Sequence, residues 1–323
     1  MTRARVGIVG ARRRRQGLGP YMARFFDRQG AEIVAVLGTS ADSARAATRE
    51  LAEAGMSPRP FADPETFFRD GDLEAVVIAS PHETHLAVLE LAASHGVAAF
   101  CEKPFVWGGP DPIADAERVV EEFARRDLLL LENVQWSYTL PAFCELHPGV
   151  WEPGRSVRTL EFLLGPAARD VGRITDSLSH VLSVLQTLGG VPDGALQEVR
   201  FESLDADRLV LGFRYPGQRG PIETTVTLKH APHPPRPAGY GIDGHFALRK
   251  IEPTSYAITF ERADTGRSVP VADPMEALIH DFLAALRTGD APRWATVTAS
   301  HIVPRLRHLV ELRDAYLEAS RSD

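Results

Sequence analysis

The chain has few cysteines, few lysines and no long apolar run. Two cysteines in 323 residues, Cys101 and Cys144, predict neither a disulfide framework nor a metal site, and we expect buried thiols in a reducing cytosol. No stretch reaches the ~18 apolar residues that predict a membrane span, and we see no secretory leader. We therefore expect a cytoplasmic protein with no membrane partner and no metal ion.

The charges disfavour a further class of partners. The formal net charge is −7, which is unfavourable for general nucleic-acid binding, so we expect no nucleic-acid partner. The length allows two domains with sizeable cores. Arginine supplies most of the positive charge, since the lysines are Lys103, Lys229 and Lys250. Lysine can be tuned to exchange a proton and arginine cannot, which draws attention to Lys103 between Glu102 and Pro104.

The first 135 residues alternate between strands and helices. Apolar runs predict strands at 5–9, 32–37, 73–79, 97–100 and 128–131, and helices at 20–28, 42–53, 85–94 and 113–126. This alternation predicts a Rossmann domain over residues 1–135, with a doubly wound parallel sheet. Right-handed crossovers would place Gly10, Ser80 and Glu102 along one sheet edge, at the strand ends where ligands bind.

The pattern changes after residue 135. Alternating residues predict strands at 157–164, 198–202, 208–215, 223–229, 245–251 and 257–261, with a helix at 176–188. We expect a second, α+β domain over 136–323, for substrate binding and oligomerisation, with a large, mainly antiparallel open sheet. Helices at 274–287 and 301–319 close the chain, and the last could pack back on the first domain. Residues 231–244 read as a long loop.

The first turn is a modified dinucleotide fingerprint. Gly10 follows the first strand, but an insertion that contains Arg12 and Arg13 separates it from Gly17 and Gly19, so the G-x-G-x-x-G pattern is not met. The glycines still permit close backbone approach, and the next helix presents free amides to a phosphate. A solvated arginine loop is the alternative, and we favour nucleotide binding.

The end of the second strand bears on the choice of cofactor. An acidic residue there would bind the ribose diol of NAD, but the chain has Thr39 and Ser40, and its first carboxylate is Asp42. The two hydroxyls can donate to a 2′-phosphate, which an arginine of the 12–15 run can neutralise. We therefore expect NADP(H) to be preferred over NAD(H), unless Asp42 reaches back to the ribose.

The second half of the chain offers Asp176 and His180, which lie one turn apart on the same helix face. A structural histidine, a cap interaction or half of a metal site would show the same spacing. Several polar and aromatic residues could line a substrate pocket, although each also suits ordinary packing. They are Trp136, Tyr138, His230, His233, Tyr240, Asp243 and His245.

Taken in order, these motifs resemble the glucose–fructose oxidoreductase / inositol dehydrogenase / MocA (Gfo/Idh/MocA) family. The resemblance rests on residues 6–10 (VGIVG), 74–85 (EAVVIASPHETH), 101–104 (CEKP), 176–180 (DSLSH) and the helix at 274–286. It implies that Lys103, Asp176 and His180 face the nicotinamide in one pocket. It also implies that Glu102 contacts the nicotinamide ribose and that the peptide before Pro104 is often cis.

We also assign the turn Ser80-Pro81-His82 to the cofactor site. Two features depart from the family pattern, namely the arginine-rich first turn and residues 133–138, where many relatives carry an arginine-rich segment. The family's substrate contacts therefore do not transfer to 133–138.

The expected function is an NADP(H)-dependent interconversion of a secondary alcohol and a ketone. The substrate would be a polyhydroxylated small molecule: a sugar, nucleotide sugar, cyclitol or related natural-product intermediate. The unperturbed pKa of histidine, about 6.5, suits His180 as the proton-exchanging group. Lys103 would stabilise the substrate oxygen and Asp176 would orient the imidazole. The alternatives are an imine reductase, a redox-neutral enzyme with retained cofactor, and a non-catalytic dinucleotide-dependent sensor. We expect a homodimer or homotetramer, since an open sheet face would need covering.

Overall fold

The computed structural model describes residues 3–12, 18–192 and 194–321. The described chain forms two compact units. The first contains the residues up to Asn133 together with Met275–Val303, and the second contains Val134–Pro274 and the residues from Pro304 onward. Each unit has its own sheet. No helix in the described ranges is long and apolar enough to cross a membrane.

The sheet of the first unit is parallel, with the strand order β3-β2-β1-β4-β5-β6. Its strands are β1 (Ala4–Val9), β2 (Ala31–Leu37), β3 (Arg59–Phe61), β4 (Ala75–Ile78), β5 (Ala98–Cys101) and β6 (Leu130–Glu132). The helices between them are α1 (Gly19–Arg28), α2 (Ala41–Ala52), α3 (Pro64–Asp70), α4 (His85–Ser94) and α5 (Pro112–Arg125). The order reverses at β1 and β4, which is where a doubly wound sheet binds its ligand.

The sheet of the second unit has the order β14-β13-β12-β11-β7-β10-β9-β8, and only the β7–β10 pair is parallel among the described strands. Its strands are β7 (Thr159–Leu164), β8 (Gln197–Leu204), β9 (Arg208–Gly217), β10 (Gly220–Lys229), β11 (Ala238–Ile242), β12 (His245–Ile251), β13 (Ile258–Glu261) and β14 (Ser268–Val271). Helices α6 (Leu140–Leu146) and α7 (Gly172–Gly189) precede and follow β7. These two sheets confirm the predicted fold class.

The last helices are α8 (Pro274–Thr288) and α9 (Ala299–Ala319). Helix α8 adds Phe282 to the core of the first unit, where its ring meets those of Phe26 and Phe100 edge-on at 5.9 and 5.4 Å between centroids. The boundary between the units falls within α9, after Val303. The first unit is therefore completed by residues that follow the second unit's sheet in the chain.

The predicted loop at 231–244 is wrong in its second half, because β11 lies there in the interior of the sheet. Gly239 and Gly241 made this strand look like a turn. Both glycines are needed because the Phe246 ring of β12 covers them: a Cβ would come within 2.9 Å of this ring at Gly239 and 3.0 Å at Gly241. Glycine in a strand often marks such a close approach.

Candidate functional site

The turn after β1 is pressed against the end of β4. Gly10 has φ +85°, and a Cβ on it would lie 2.6 Å from the backbone of Ala79 and Ser80. A Cβ on Gly19, at the start of α1, would overlap the Gly10 carbonyl oxygen. Both positions therefore require glycine, because the backbone of the turn packs directly against β4 and against the start of α1. Leu18, the N-cap residue of α1, has no polar side chain to cap the helix.

Arg12 lies half-buried just beyond this turn. Arg13 and Gly17, which the sequence also assigned to the phosphate site, fall outside the described residues. Of the phosphate ligands predicted in the insertion, Arg12 is the one that the structure describes.

Thr39 and Ser40 follow β2 and are exposed at the start of α2. Ser40 is the N-cap: its Oγ accepts from the Ser43 amide at 3.2 Å, and Ser43 Oγ accepts from the Ser40 amide at 3.0 Å. Asp42, the alternative ribose ligand, forms an ion pair with Arg45 at 2.5 Å. The hydroxyls thus stand at the helix N-terminus, while the carboxylate has a cationic neighbour.

A buried histidine joins the turns after β4 and β5. The Nε2 atom of His85 lies 2.9 Å from the Ser80 carbonyl oxygen, and its Nδ1 atom lies 3.1 Å from the carbonyl oxygens of Pro104 and Phe105. The Cys101 thiol lies 3.5 Å from the same Nδ1. Burial lowers the pKa of His85, so the neutral ring is favoured. His85 ends the 74–85 motif, and no role was predicted for it from the sequence.

The Glu102–Lys103 turn is tied to both neighbouring strands. The Glu102 amide donates to the Ile78 carbonyl of β4 at 2.9 Å, and Asn133 Nδ2 donates to Glu102 Oε1 at 2.5 Å. Burial raises the pKa of Glu102, while the nearby charge of Lys103 acts in the opposite direction. The Lys103 side chain is half-buried, and the peptide between it and Pro104 is cis.

The Ser80-Pro81-His82 turn continues the same edge. Ser80 Oγ lies 2.6 Å from Thr84 Oγ1, which donates to the Pro81 carbonyl at 2.8 Å. Pro81 is exposed and His82 is half-buried, with its Nδ1 3.7 Å from a Glu83 carboxylate oxygen. These bonds hold the turn in one shape beside the glycine turn of β1.

Among the described residues, the structure therefore gathers the predicted cofactor residues of the first unit at the carboxyl ends of adjacent strands. The glycine turn, the first amides of α1 and the hydroxyls after β2 form a donor set that suits a dinucleotide's phosphates and ribose. Asn133, which no pattern indicated, orients the Glu102 carboxyl.

The second unit places Asp176 and His180 on α7. Asp176 is exposed and His180 is half-buried, whereas most of the helix faces the sheet and is buried. The His180 ring lies 6.5 Å from the Trp136 ring between centroids. Trp136 in turn meets Phe162 at 5.2 Å, so the sheet core supports this aromatic neighbour of His180.

The other proposed pocket residues of this unit have different surroundings. Tyr240 is fully buried and accepts from Thr139 Oγ1 at 3.1 Å, which indicates a packing role. Asp243 accepts from the amides of Arg158 and Thr159, both at 2.9 Å. The remaining candidates are distributed between core and surface: Tyr138 is buried, His230 is half-buried, and His233 and His245 are exposed.

An arginine on the same side of the sheet as Trp136 was missed. Arg249 of β12 stacks its guanidinium over the Trp136 ring at 5.4 Å from the centroid. Burial lowers the pKa of Arg249, and the charge of Arg236 lowers it further. Strand register places it inward, because Arg249 pairs with Ala238, two residues from Tyr240.

Comparisons with known proteins agree with this organisation. Residues 4–134 match the family model of the oxidoreductase family with an NAD-binding Rossmann fold. D-apiose dehydrogenase of Rhizobium rhizogenes is 34% identical over 86 residues, which are 26% of this chain and 24% of the relative. Inositol 2-dehydrogenase of Klebsiella pneumoniae is 36% identical over 91 residues, which are 28% of this chain and 26% of the relative. Each match spans about a quarter of the relative's length.

A solved structure is similar over the whole length. The UDP-N-acetylglucosamine 3-dehydrogenase of Acidithiobacillus ferrooxidans has a TM-score of 0.72 and 21% identity, covering 98% of each chain. At this identity the likeness concerns the fold. Residues 4–134 thus match the Gfo/Idh/MocA oxidoreductase family model, and the chain as a whole has the same fold as this dehydrogenase.

Proposed function

We propose that the protein is an NADP(H)-dependent dehydrogenase that interconverts a secondary alcohol and a ketone on a polyhydroxylated small molecule. The observation that carries the proposal is the pair of turns after β4 and β5, joined by His85 and displaying Ser80 and Lys103 beside the Gly10 turn. The named relatives support the substrate class, since they are dehydrogenases of a sugar and a cyclitol, and the fold neighbour is a dehydrogenase of a nucleotide sugar.

The chemistry divides between a hydride and a proton. A bound nicotinamide dinucleotide supplies the hydride acceptor or donor. During oxidation, the proton of the substrate hydroxyl passes to the His180 imidazole as the carbonyl forms, and reduction returns it. The Lys103 ammonium donates a hydrogen bond to the same oxygen while it carries negative charge, and Asp176 orients the imidazole.

The acid–base roles are tested by Lys103→Met and His180→Ala. Each is expected to lower kcat by about 100-fold or more, because general acid–base catalysis contributes on that order. Lys250→Met is the matched control, since Lys250 is exposed on β12. Fluorescence titration with NADPH shows whether each variant still binds cofactor. Near-normal kcat in both test variants would overturn the assignment.

The NADP(H) preference rests on Thr39 and Ser40 at the N-terminus of α2 and on Arg12. We expect kcat/KM to be higher with NADPH than with NADH. Arg12→Ala should reduce that preference, because a guanidinium–phosphate contact is lost. Arg24→Ala, at an exposed site on α1, is the control. A kcat/KM that is higher with NADH in the wild-type protein would refute the preference.

We further propose that the protein acts as a homodimer or homotetramer in the cytoplasm. Leu163 of β7 supports an assembly surface, because this apolar residue is half-buried and shares the outward strand face with the exposed Glu161. Light scattering after size-exclusion chromatography tests this, and a monomer at micromolar concentration would refute it.

A further inference from the structure

The Arg249 guanidinium has unusual surroundings for a half-buried cation. It stacks over the Trp136 ring, and its Nη2 atom donates to the Arg236 carbonyl oxygen at 3.4 Å. Its Nε atom is buried and has no hydrogen-bond partner. Across the described residues, no carboxylate pairs with Arg249. The charge that acts on Arg249 is instead the like charge of Arg236.

Such an arrangement costs free energy unless an anion offsets it. A buried cation is normally paired with a carboxylate or another anion, and a second cation nearby adds repulsion. Stacking on an indole contributes through the face of the guanidinium. It leaves the N–H groups in the guanidinium plane, apart from the one that donates to Arg236, available for the fork that binds carboxylate and phosphate oxygens in a bidentate manner.

The indole also relates Arg249 to the proposed catalytic residues. Trp136 contacts the Arg249 guanidinium at 5.4 Å and the His180 ring at 6.5 Å, measured to the centroid. Trp136 is 6% exposed, and its ring is fixed against Phe162, so its position is set by the core. His180 and Arg249 therefore contact the same indole, which brings them within about 12 Å of each other, the sum of the two distances.

We propose that Arg249, with Arg236 beside it, binds an oxyanion of the substrate. The substrate is then an anionic member of the polyhydroxylated class, carrying a carboxylate or a phosphate, in preference to a neutral sugar or cyclitol. This inference rests on the proposed function for its substrate, but the anion site can be measured by itself.

Binding is tested with the full chain at constant ionic strength. The probes are glucuronate, glucose 6-phosphate, inorganic phosphate and the neutral glucuronamide, each followed by thermal shift and calorimetric titration. We expect at least one anionic probe to bind more tightly than glucuronamide. The carboxylate and phosphate arms distinguish the two sources of the oxyanion.

Two substitutions and a control locate the site. Arg249→Met should weaken binding of the favoured anion by about 10- to 100-fold, which corresponds to losing a hydrogen-bonded charge partner. Arg249→Lys should lose part of that affinity, because it keeps the charge and loses the fork. Lys250→Met, on the opposite face of the same strand, should bind like the wild-type protein. Thermal unfolding without probe shows whether each variant is folded.

Kinetics separate this inference from the proposed function. A panel of neutral sugars, uronates and sugar phosphates should show a ratio of charged to neutral kcat/KM that falls by about 10- to 100-fold in Arg249→Met. Equal turnover of charged and neutral counterparts would overturn the anion site and leave the dehydrogenase intact. Arg249-dependent anion binding without oxidation of any compound would overturn the dehydrogenase and leave the anion site. Equal anion affinity in the wild-type protein and Arg249→Met also overturns the inference.

Discussion

Replacing His85 by phenylalanine tests whether one buried ring holds the turns after β4 and β5 together. His85 is 1% exposed, and its ring nitrogens lie 2.9 Å from the Ser80 carbonyl oxygen and 3.1 Å from that of Pro104. Burial lowers its pKa, so the ring is neutral at pH 7 and carries one N–H. That N–H donates either to the Ser80 carbonyl oxygen from Nε2 or to the Pro104 and Phe105 carbonyl oxygens from Nδ1, so the ring contacts both turns and donates to one of them.

The expected magnitude follows from these contacts. Phenylalanine fills a similar volume but cannot donate, so one of the two turns loses its hydrogen bond with the ring, at a cost of about 1–3 kcal/mol. The change of shape in a close-packed site adds about 1 kcal/mol. The free energy of unfolding should therefore fall by about 2–4 kcal/mol. For a unit of this size, that corresponds to a Tm lower by about 5–15 °C.

Urea unfolding followed by circular dichroism measures this loss. His95→Phe is the matched control: it makes the same substitution at the end of the same helix, where the side chain is 27% exposed and stacks on Phe68. Its effect should stay within about 0.5 kcal/mol, as for most surface changes. If His85→Phe unfolds at the same urea concentration as His95→Phe, the ring does not hold the turns together.

Three further predictions concern the titration of His85, the reactivity of the two thiols and the Gly10 turn. Because burial lowers the folded pKa of His85 below its unfolded value of about 6.5, the stability advantage of the wild-type protein over His85→Phe should be full above pH 7. It should shrink as the pH falls from 6.5 towards 5, by no more than about 1.4 kcal/mol per pH unit, and an advantage that grows on acidification would contradict this. Burial raises the pKa of Cys101 well above its usual value, whereas Cys144 is only partly buried. Iodoacetamide should therefore label Cys144 first and Cys101 only after unfolding, which mass spectrometry measures. Gly19→Ala should weaken NADPH binding by at least 10-fold, because its methyl group would displace the Gly10 carbonyl; unchanged affinity in fluorescence titration would show that the turn tolerates a side chain.

The first unit could be predicted from local signals. Its buried strands are short apolar runs, and the helices between them have clear starts, such as Pro20 at the beginning of α1 and Asp111 capping α5. The helix over His85–Ser94 matches its predicted bounds. The shorter strand β3 and helix α3 were missed, because three to seven residues carry too little periodicity to be distinguished from a loop.

The second unit was harder because its strands depend on tertiary contacts. Residues 238–242 contain two glycines, and only the ring of Phe246 on the neighbouring strand explains why they are extended. The inward position of Arg249 could not be predicted from the sequence either. Its strand neighbours do not reveal which face it occupies, and the choice is fixed by its pairing opposite Ala238. By contrast, the sequence was enough to place Asp176 and His180 one turn apart on a single helix, and their catalytic roles stay a prediction.

The arrangement of the first unit also bears on how cofactor choice can vary. The Gly10 turn is fixed by backbone contact with β4, and the Ser80 turn is fixed by His85, so changes there would disturb the fold together with the cofactor. Thr39 and Ser40 are exposed, and the Ser40 oxygen accepts from Ser43 while its own hydrogen remains available to donate. A hydroxyl used in this way caps α2 and can bind a 2′-phosphate at the same time. If the protein binds NADP(H) as we propose, Thr39 is the position where a new carboxylate would oppose the 2′-phosphate without removing the cap.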